Sequence, residues 1–223
     1  MKPFVKLLAA ALPAVLGLSP TSAGVVVLSP EAILGDHASY SNSFPVEDMI
    51  DGDGLSVSFT SGVTDFATFM AGSPATQNSV GWFSPDDTAK PYSLDFDLGA
   101  IYDVSQLVVW LYNASGSTTT SSANSFEFSL SSQPDFINAT DLGSFNIAAN
   151  TAAANLFTLD ENATGRYLRM EILGTFAGTD PGIIGIAEFA VGATSAIPEP
   201  TTAGVWLGAL AFGLVATRRT QRT

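Results

Sequence analysis

The sequence predicts an all-β protein built as a single jelly-roll β-sandwich. Short runs in which apolar and polar residues alternate recur along the middle of the chain, and apolar spacing of the helical kind is weak throughout. Clusters of Gly, Ser, Asn, Asp and Pro separate these runs, as turns separate strands. The region between the two apolar termini holds about 170 residues, which is enough for one hydrophobic core and leaves little for a second domain.

Five segments have the character of strands. Residues 92–98 (YSLDFDL) alternate strictly between apolar and polar side chains, which indicates a strand with one buried face. Residues 104–112 (VSQLVVWLY) indicate a longer and more deeply buried strand. Further strands are predicted at residues 126–130, 166–173 and 186–191. Residues 114–124 are rich in Ser and Thr and form a candidate ligand loop, whereas no fold is assigned to residues 59–79.

The N-terminus has the three parts of a secretory signal peptide. Lys2 and Lys6 precede an apolar run at residues 7–18, and small residues follow up to Ala23. We therefore expect a signal helix at residues 1–23, removed by cleavage after Ala23. A permanent N-terminal anchor is disfavoured because the apolar run is shorter than the roughly 20 residues of a spanning helix.

The C-terminal segment, residues 197–223, also has three parts in a fixed order. The first part is Pro198, Glu199 and Pro200, in which two prolines flank an acid. An uncharged apolar run follows at residues 203–217, and Arg218 and Arg219 come after it. The prolines disfavour helix and keep the start of the segment extended. The apolar run predicts a short transmembrane helix with its arginines on the cytoplasmic side.

This order of motifs resembles the PEP-CTERM sorting signal of Gram-negative bacteria. The resemblance implies that an exosortase recognises the tail while it is transiently anchored in the inner membrane, and cleaves near Pro198–Pro200. It also implies export through the inner membrane to the cell surface or an extracellular exopolysaccharide matrix. The alternative is an ordinary C-terminal anchor in which Pro-Glu-Pro occurs by chance.

The charge of the central region limits its partners. Residues 24–196 contain three basic residues (Lys90, Arg166 and Arg169) and 20 acidic ones, a net charge of −17. Such a balance argues against binding to nucleic acid or to anionic lipid. The chain has no cysteine, so its stability outside the cell depends on a complete core, with or without a metal.

Four motifs occur in the order found in the coagulation factor 5/8 type C, or discoidin-like, family. They are PVEDMIDGD at 45–53, YSLDFDLG at 92–99, GRYLRM at 165–170 and GIAEF at 185–189. The resemblance covers residues 36–191 and implies an eight-stranded, galactose-binding-like jelly roll that recognises sugars, lipids or protein surfaces without catalysis. One departure is that Phe59 stands where the family usually has a tryptophan after the acidic turn.

The resemblance also implies a structural Ca²⁺ at the acidic turn. It assigns the carboxylates of Asp53 and Glu188, backbone oxygens near Ile50 and Ala187, and a hydroxyl from Ser56 or Ser58. Carboxylate and carbonyl oxygens are the ligands that Ca²⁺ prefers, and Gly52 lets the turn bend towards them. The alternative is that these acids only cap a turn in an acidic protein.

Sugar-binding relatives present aromatic rings on loops at one end of the sandwich. The corresponding candidates are Tyr40, Phe44, Trp82 and Phe83, with Asp86 as an acceptor for sugar hydroxyls. Core or rim packing is the alternative for each ring. His37 is the only histidine, so a site built on several histidines is excluded, and it is expected at the surface.

An enzyme is not expected. The chain lacks the nucleophile, phosphate-loop, dinucleotide and zinc-protease motifs, and a carboxylate pair for glycoside hydrolysis needs a cleft that a single small sandwich rarely offers. The sequence therefore predicts an exported surface or matrix protein that binds carbohydrate, in particular exopolysaccharide. The alternative is a structural or adhesive matrix protein with no small-ligand site.

Overall fold

A computed structural model describes residues 24–77, 81–112 and 120–195. These residues form nine strands, one short α-helix and one turn of 3-10 helix. The strands are Val26–Leu28 (β1), Ala32–Leu34 (β2), Trp82–Phe83 (β3), Tyr92–Trp110 (β4), Ala123–Ser131 (β5), Thr140–Asn146 (β6), Asn155–Thr175 (β7), Gly185–Ile186 (β8) and Glu188–Ser195 (β9). The helices are Val46–Met49 (3-10) and Phe66–Ala71 (α1).

One antiparallel sheet of seven strands makes both layers of the fold, because its two longest strands pair with different neighbours along their length. The first part of β4, up to Asp97, pairs with β2 and with the second part of β7, which in turn pairs with β5. The second part of β4, from Tyr102, pairs with β9, and β9 pairs with β1. The register shifts between these parts, which is where the sheet changes direction.

The core lies between the two layers. Leu94, Phe96 and Leu98 of β4 point inwards at alternate positions and are fully buried. The rings of Phe96 and Phe189 lie 4.9 Å apart, although Phe189 pairs with Val109 much further along β4. This contact shows that the sheet folds over on itself. Every buried apolar residue of the described chain lies between Val27 and Ala193, so the segment 24–196 carries its own core.

A second, smaller apolar cluster explains why β4 is apolar on both faces. Leu107 and Val109 face the main core, whereas Val108 and Trp110 face outwards. The helix α1 covers this outer face with Phe66 and Phe69, and the Asp65 carboxylate caps the helix by accepting the Thr68 N–H at 2.8 Å. Residues 59–77, which had no predicted fold, therefore form the cover of the second layer.

The predicted fold class is confirmed: the described chain is an all-β sandwich. All five predicted strands overlap observed strands, but the segments at 92–98 and 104–112 belong to one strand, β4, which continues through Gly99 and ends at Trp110. The segment predicted at 186–191 is divided at Ala187 between β8 and β9. The strands also extend beyond residues 36–191, because β1 and β2 precede residue 36 and β9 continues to Ser195.

The predicted terminal signals lie outside the described residues. This applies to the signal peptide at 1–23, to the apolar run at 203–217 and to the sorting residues Pro198, Glu199, Pro200, Arg218 and Arg219. In the part of the chain that the structure describes, no helix is long and apolar enough to cross a membrane.

Candidate functional site

Three aromatic rings close one end of the sandwich, which we call the loop end: Phe44, Phe83 and Tyr112. Phe83 lies edge-on to Phe44 and to Tyr112, with ring centres 5.1 and 4.2 Å apart. Tyr112 lies two residues after the end of β4, and Phe83 pairs with Gly185 in the small sheet of β3 and β8. A Cβ on Gly185 would lie 2.6 Å from the Phe83 ring, so only glycine allows this packing.

Two of the predicted sugar-stacking residues belong to the core. Trp82 is 0% exposed and Phe83 is 5% exposed, so neither can present a ring face to a ligand. The Trp82 ring packs on Tyr92 at 5.7 Å, and its indole N–H donates to the Ala38 carbonyl at 3.4 Å. The prediction that these two rings bind ligand is wrong, because β3 is short, pairs with β8 and is buried on both faces.

The remaining candidates are accessible at the loop end. Tyr40 is 55% exposed, while its backbone N–H donates to the Phe83 carbonyl at 2.8 Å, so its main chain is fixed against β3. Phe44 is half-buried, and Asp86 is exposed in the turn that follows β3. Tyr40, whose backbone pairs with β3, and Asp86, three residues after β3, thus offer a ring and a carboxylate to solvent.

His37, expected at the surface, is half-buried and holds the loop before Tyr40 in place. Its Nε2 lies 2.8 Å from the Leu34 carbonyl, and its Nδ1 lies 3.0 Å from the Tyr92 hydroxyl. Because a carbonyl only accepts, Nε2 carries a proton, and in the neutral ring Nδ1 accepts from Tyr92. Burial raises the pKa of Tyr92. The role of Tyr92 had no sequence signal beyond its place in a strand.

The acidic turn folds against the first residue of β9. Glu188 is 2% exposed and accepts backbone N–H groups from Gly52 at 3.3 Å and from Gly54 at 3.4 Å. The Asp51 carboxylate accepts the Asp53 N–H at 2.9 Å and tightens the same turn. Glu188 pairs with Trp110 at the end of β4, so this turn also lies at the loop end. The expected meeting of the turn with the closing glutamate is therefore present.

The Glu188 carboxyl group carries no positive partner among the described residues, whose ion pairs are Arg166–Asp97 and Arg169–Asp95. Burial, and after it the nearby Asp51, raise the pKa of Glu188 to about 8, although the N–H groups of Gly54 and Gly52 act in the opposite direction. Burial and the neighbouring acids also raise the pKa of Asp48. Without a cation, Glu188 is thus largely protonated near neutral pH.

The predicted Ca²⁺ ligands are partly assembled. The acid that interacts with Glu188 is Asp51, which the prediction left out, while Asp53 and Ser56 are exposed. The Ser56 hydroxyl accepts the Ala75 N–H at 3.0 Å. Ile50 ends the 3-10 helix, and buried Ala187 directly precedes Glu188. Among the described residues no three acidic or histidine side chains are grouped to hold a metal, so Ca²⁺ would take several backbone oxygens. A buried carboxyl group without a cation fits such an ion.

The two arginines of the sandwich are committed to structural pairs. Arg169 binds Asp95 and Arg166 binds Asp97, each through two N–H groups at 2.7–2.8 Å. The Arg166 pair lowers the pKa of Asp97. Both pairs join β4 to β7 on the outer face of the sheet, opposite the buried Leu94, Phe96 and Leu98.

Solved structures with the same architecture are carbohydrate-binding modules (CBMs). The family 32 CBM of NanJ from Clostridium perfringens, solved in complex with galactose, matches with a TM-score of 0.51 and 13% identity over 75% of this chain and 98% of that one. Our chain has the fold of a family 32 CBM. A second match is CBM32-3 from a family 31 glycoside hydrolase of Clostridium perfringens, with a TM-score of 0.52 and 16% identity over 75% and 95% of the two chains.

These likenesses confirm the discoidin-like β-sandwich that the four sequence motifs predicted. CBM32-1 of the family 31 glycoside hydrolase agrees with them, with a TM-score of 0.50 and 13% identity over 74% of this chain and 96% of that chain. At this level of identity the comparison establishes the fold. No protein-family model and no curated protein matches the sequence.

Proposed function

We propose that this chain is an exported surface or matrix protein whose sandwich binds carbohydrate without catalysis, in particular the exopolysaccharide of its own cell. The observation that carries the proposal is the loop end of a CBM-like fold, where Tyr40 is 55% exposed on a fixed backbone. A ring held in this way can stack on the apolar face of a sugar, and the exposed Asp86 can accept sugar hydroxyls. The galactose complex of the NanJ module supports a sugar as the ligand.

Replacing Tyr40 tests this proposal. If its ring stacks on sugar, Tyr40→Ala should weaken binding of residues 24–196 to its best ligand in a glycan panel about tenfold or more, a loss of about 1.4 kcal/mol. Tyr40→Phe should keep most of the affinity, because it keeps the ring. Val63→Ala is the matched control, since Val63 is 73% exposed but belongs to the turn at residues 60–64, which is hydrogen-bonded to Val27 of β1. Equal affinities of the Tyr40→Ala and wild-type proteins by calorimetry would contradict this site.

A structural matrix module without a ligand site is the second candidate. The burial of Trp82 and Phe83 favours it, because it leaves Tyr40 as the one well-exposed ring of the four predicted. In that case the folded protein binds no glycan, including the exopolysaccharide of the producing cell.

We also propose a structural Ca²⁺ that links the acidic turn to Glu188. A bound cation would neutralise the buried carboxylate and hold the turn at residues 50–53 against β9. Asp51, Asp53 and Glu188 are the acids closest to this role, with backbone oxygens of the turn and of Ala187. The ion would have no catalytic part; it would fix the end of the sandwich that carries Tyr40.

The terminal segments complete the proposal. A signal peptide at residues 1–23 would direct export, and an exosortase would process the tail at Pro198–Pro200. The direct test is the C-terminus of the protein recovered from the cell surface, determined by mass spectrometry. A C-terminus close to residue 198 supports sorting, whereas an intact tail ending at Thr223 supports an ordinary anchor.

A further inference from the structure

A hollow of about 350 Å³ opens far from the loop end, between the start of β6 and the middle of β7. Residues 140–143 form one wall and residues 159–163 form the other. Ala163 pairs with Val104, whereas the loop end lies six residues further along β4, at Trp110. The hollow is therefore separate from the site that contains Tyr40 and Asp86.

An irregularity in β7 creates this hollow. Thr158 pairs with Gln106 and Ala163 pairs with Val104, so the four residues 159–162 lie opposite the single residue Ser105. The extra residues leave the ladder, and such bulges redirect the side chains that they carry. Leu159 and Ala163 turn inwards and are only 8% and 7% exposed, while residues 160–162 stand at the rim.

The lining combines an apolar floor with a polar rim. Leu159 and Ala163 supply the floor, and the rim carries a hydroxyl, an amide and three carboxylates, from Thr140, Asn162, Asp141, Asp160 and Glu161. The volume lies at the lower end of the range of small-ligand sites, and the hollow presents polar and apolar surface in about equal parts, which suits a hydroxylated ligand better than an apolar one. The side chains of Asp160 and Glu161 form no hydrogen bond or ion pair with another described residue.

The charge of the lining selects the ligand. No basic residue lines the hollow, and the basic side chains of the described sandwich are engaged elsewhere: Arg166 with Asp97, Arg169 with Asp95, and Lys90 with the Asp180 carbonyl. Carboxylates only accept hydrogen bonds, and they bind most strongly to charged donors. An anionic sugar would be repelled, whereas an ammonium group would be attracted.

We propose that this hollow is a second saccharide site and that it takes a sugar unit with a protonated amine, a hexosamine. The ammonium and hydroxyl groups donate to the rim carboxylates, and the apolar face of the ring lies on Leu159 and Ala163. The site does not depend on the loop-end site. Two sites at different ends of one sandwich would let a single molecule join two polymer chains.

The test is a titration of ¹⁵N-labelled residues 24–196 with glucosamine, glucose and glucuronate at pH 6 and low salt. We expect shifts of the amides at 140–143 and 159–163, and affinity for glucosamine at least about tenfold above that for glucose. The double variant Asp160→Asn, Glu161→Gln should lose this preference. Asp160 and Glu161 are both exposed, and each replacement has nearly the same shape as the residue that it replaces. A thermal melt verifies that the variant is folded.

The control is Tyr40→Ala, which should leave the titration at the hollow unchanged while it lowers binding at the loop end. Failure of the loop-end proposal and failure of this one are thus separate results. Equal binding of glucuronate and glucosamine, no shifts at residues 159–163, or an unchanged preference in the double variant would each overturn the proposal.

Discussion

With Ca²⁺ chelated, the free energy of unfolding should fall as the pH rises from about 4.5 to about 8. The folded protein holds a proton on Glu188 up to a pKa of about 8, whereas the unfolded chain releases it near 4.5. The folded state therefore binds more protons throughout this window, and stability falls with pH. The full loss is about 4–5 kcal/mol as an upper limit. Asp97, whose lowered pKa has the opposite effect, acts only in more acidic solution.

Urea unfolding at a series of pH values in chelator measures this effect. Glu188→Gln should flatten the curve, because glutamine resembles the protonated acid and can still accept one N–H of the turn. Glu127→Gln is the matched control: Glu127 is exposed, so its replacement should leave the slope unchanged. A wild-type curve that is flat between pH 5 and pH 8 would contradict the buried, unpaired state of Glu188.

Calcium should reverse the loss in the wild-type protein. Since a cation favours the charged carboxylate, added Ca²⁺ should stabilise the protein more at pH 8 than at pH 5 and should release a proton on binding. Glu188→Gln should show little of this stabilisation. If Ca²⁺ stabilises the wild type and Glu188→Gln equally, the ion does not bind at the acidic turn.

Replacing Gly81 by alanine should be the most damaging single-methyl change in the sandwich. Gly81 has φ +135°, and its Cβ would lie 2.5 Å from both the Ala187 Cα and the Ile186 carbonyl oxygen. Both atoms belong to the backbone, so the methyl group can be accommodated only by moving the strand before Glu188. The conformational strain and the overpacking together should lower the free energy of unfolding by about 3–5 kcal/mol.

Gly178→Ala separates these two causes. Gly178 also has a positive φ, +116°, but no atom lies within 4 Å of its would-be Cβ. It should lose only the strain contribution, about 1–2 kcal/mol. Denaturant unfolding of both variants gives the comparison. Equal losses in the two variants would show that Gly81 does not pack closely against the backbone at Ala187.

The sequence predicted the strands whose alternation is local. Residues 92–98 and 126–130 place apolar side chains at every second position. This alternation can be recognised in the sequence without knowing which layer of the sandwich the apolar side chains face. The strands β1 and β2 were missed because three residues are too few for any period. The six-residue helix α1 was missed for the same reason, although Phe66 and Phe69 are spaced to cover Trp110.

The site depended more on tertiary contacts. The motif order correctly brought Glu188 to the acidic turn, but it could not say which acid would approach it, and the structure selects Asp51. Nor could the sequence distinguish a buried ring from an exposed one. Phe83 is buried only because Gly185, about a hundred residues later, leaves room for it.

The proposal that the loop end binds carbohydrate is tested most directly by measuring binding of residues 24–196 to a glycan panel. The panel includes galactosides and the exopolysaccharide of the producing cell, and each measurement is made with Ca²⁺ and again with chelator. We predict saturable binding without release of products, weakened in chelator and weakened about tenfold or more in Tyr40→Ala. A correctly folded protein that binds nothing in the panel would contradict the account and leave a purely structural module.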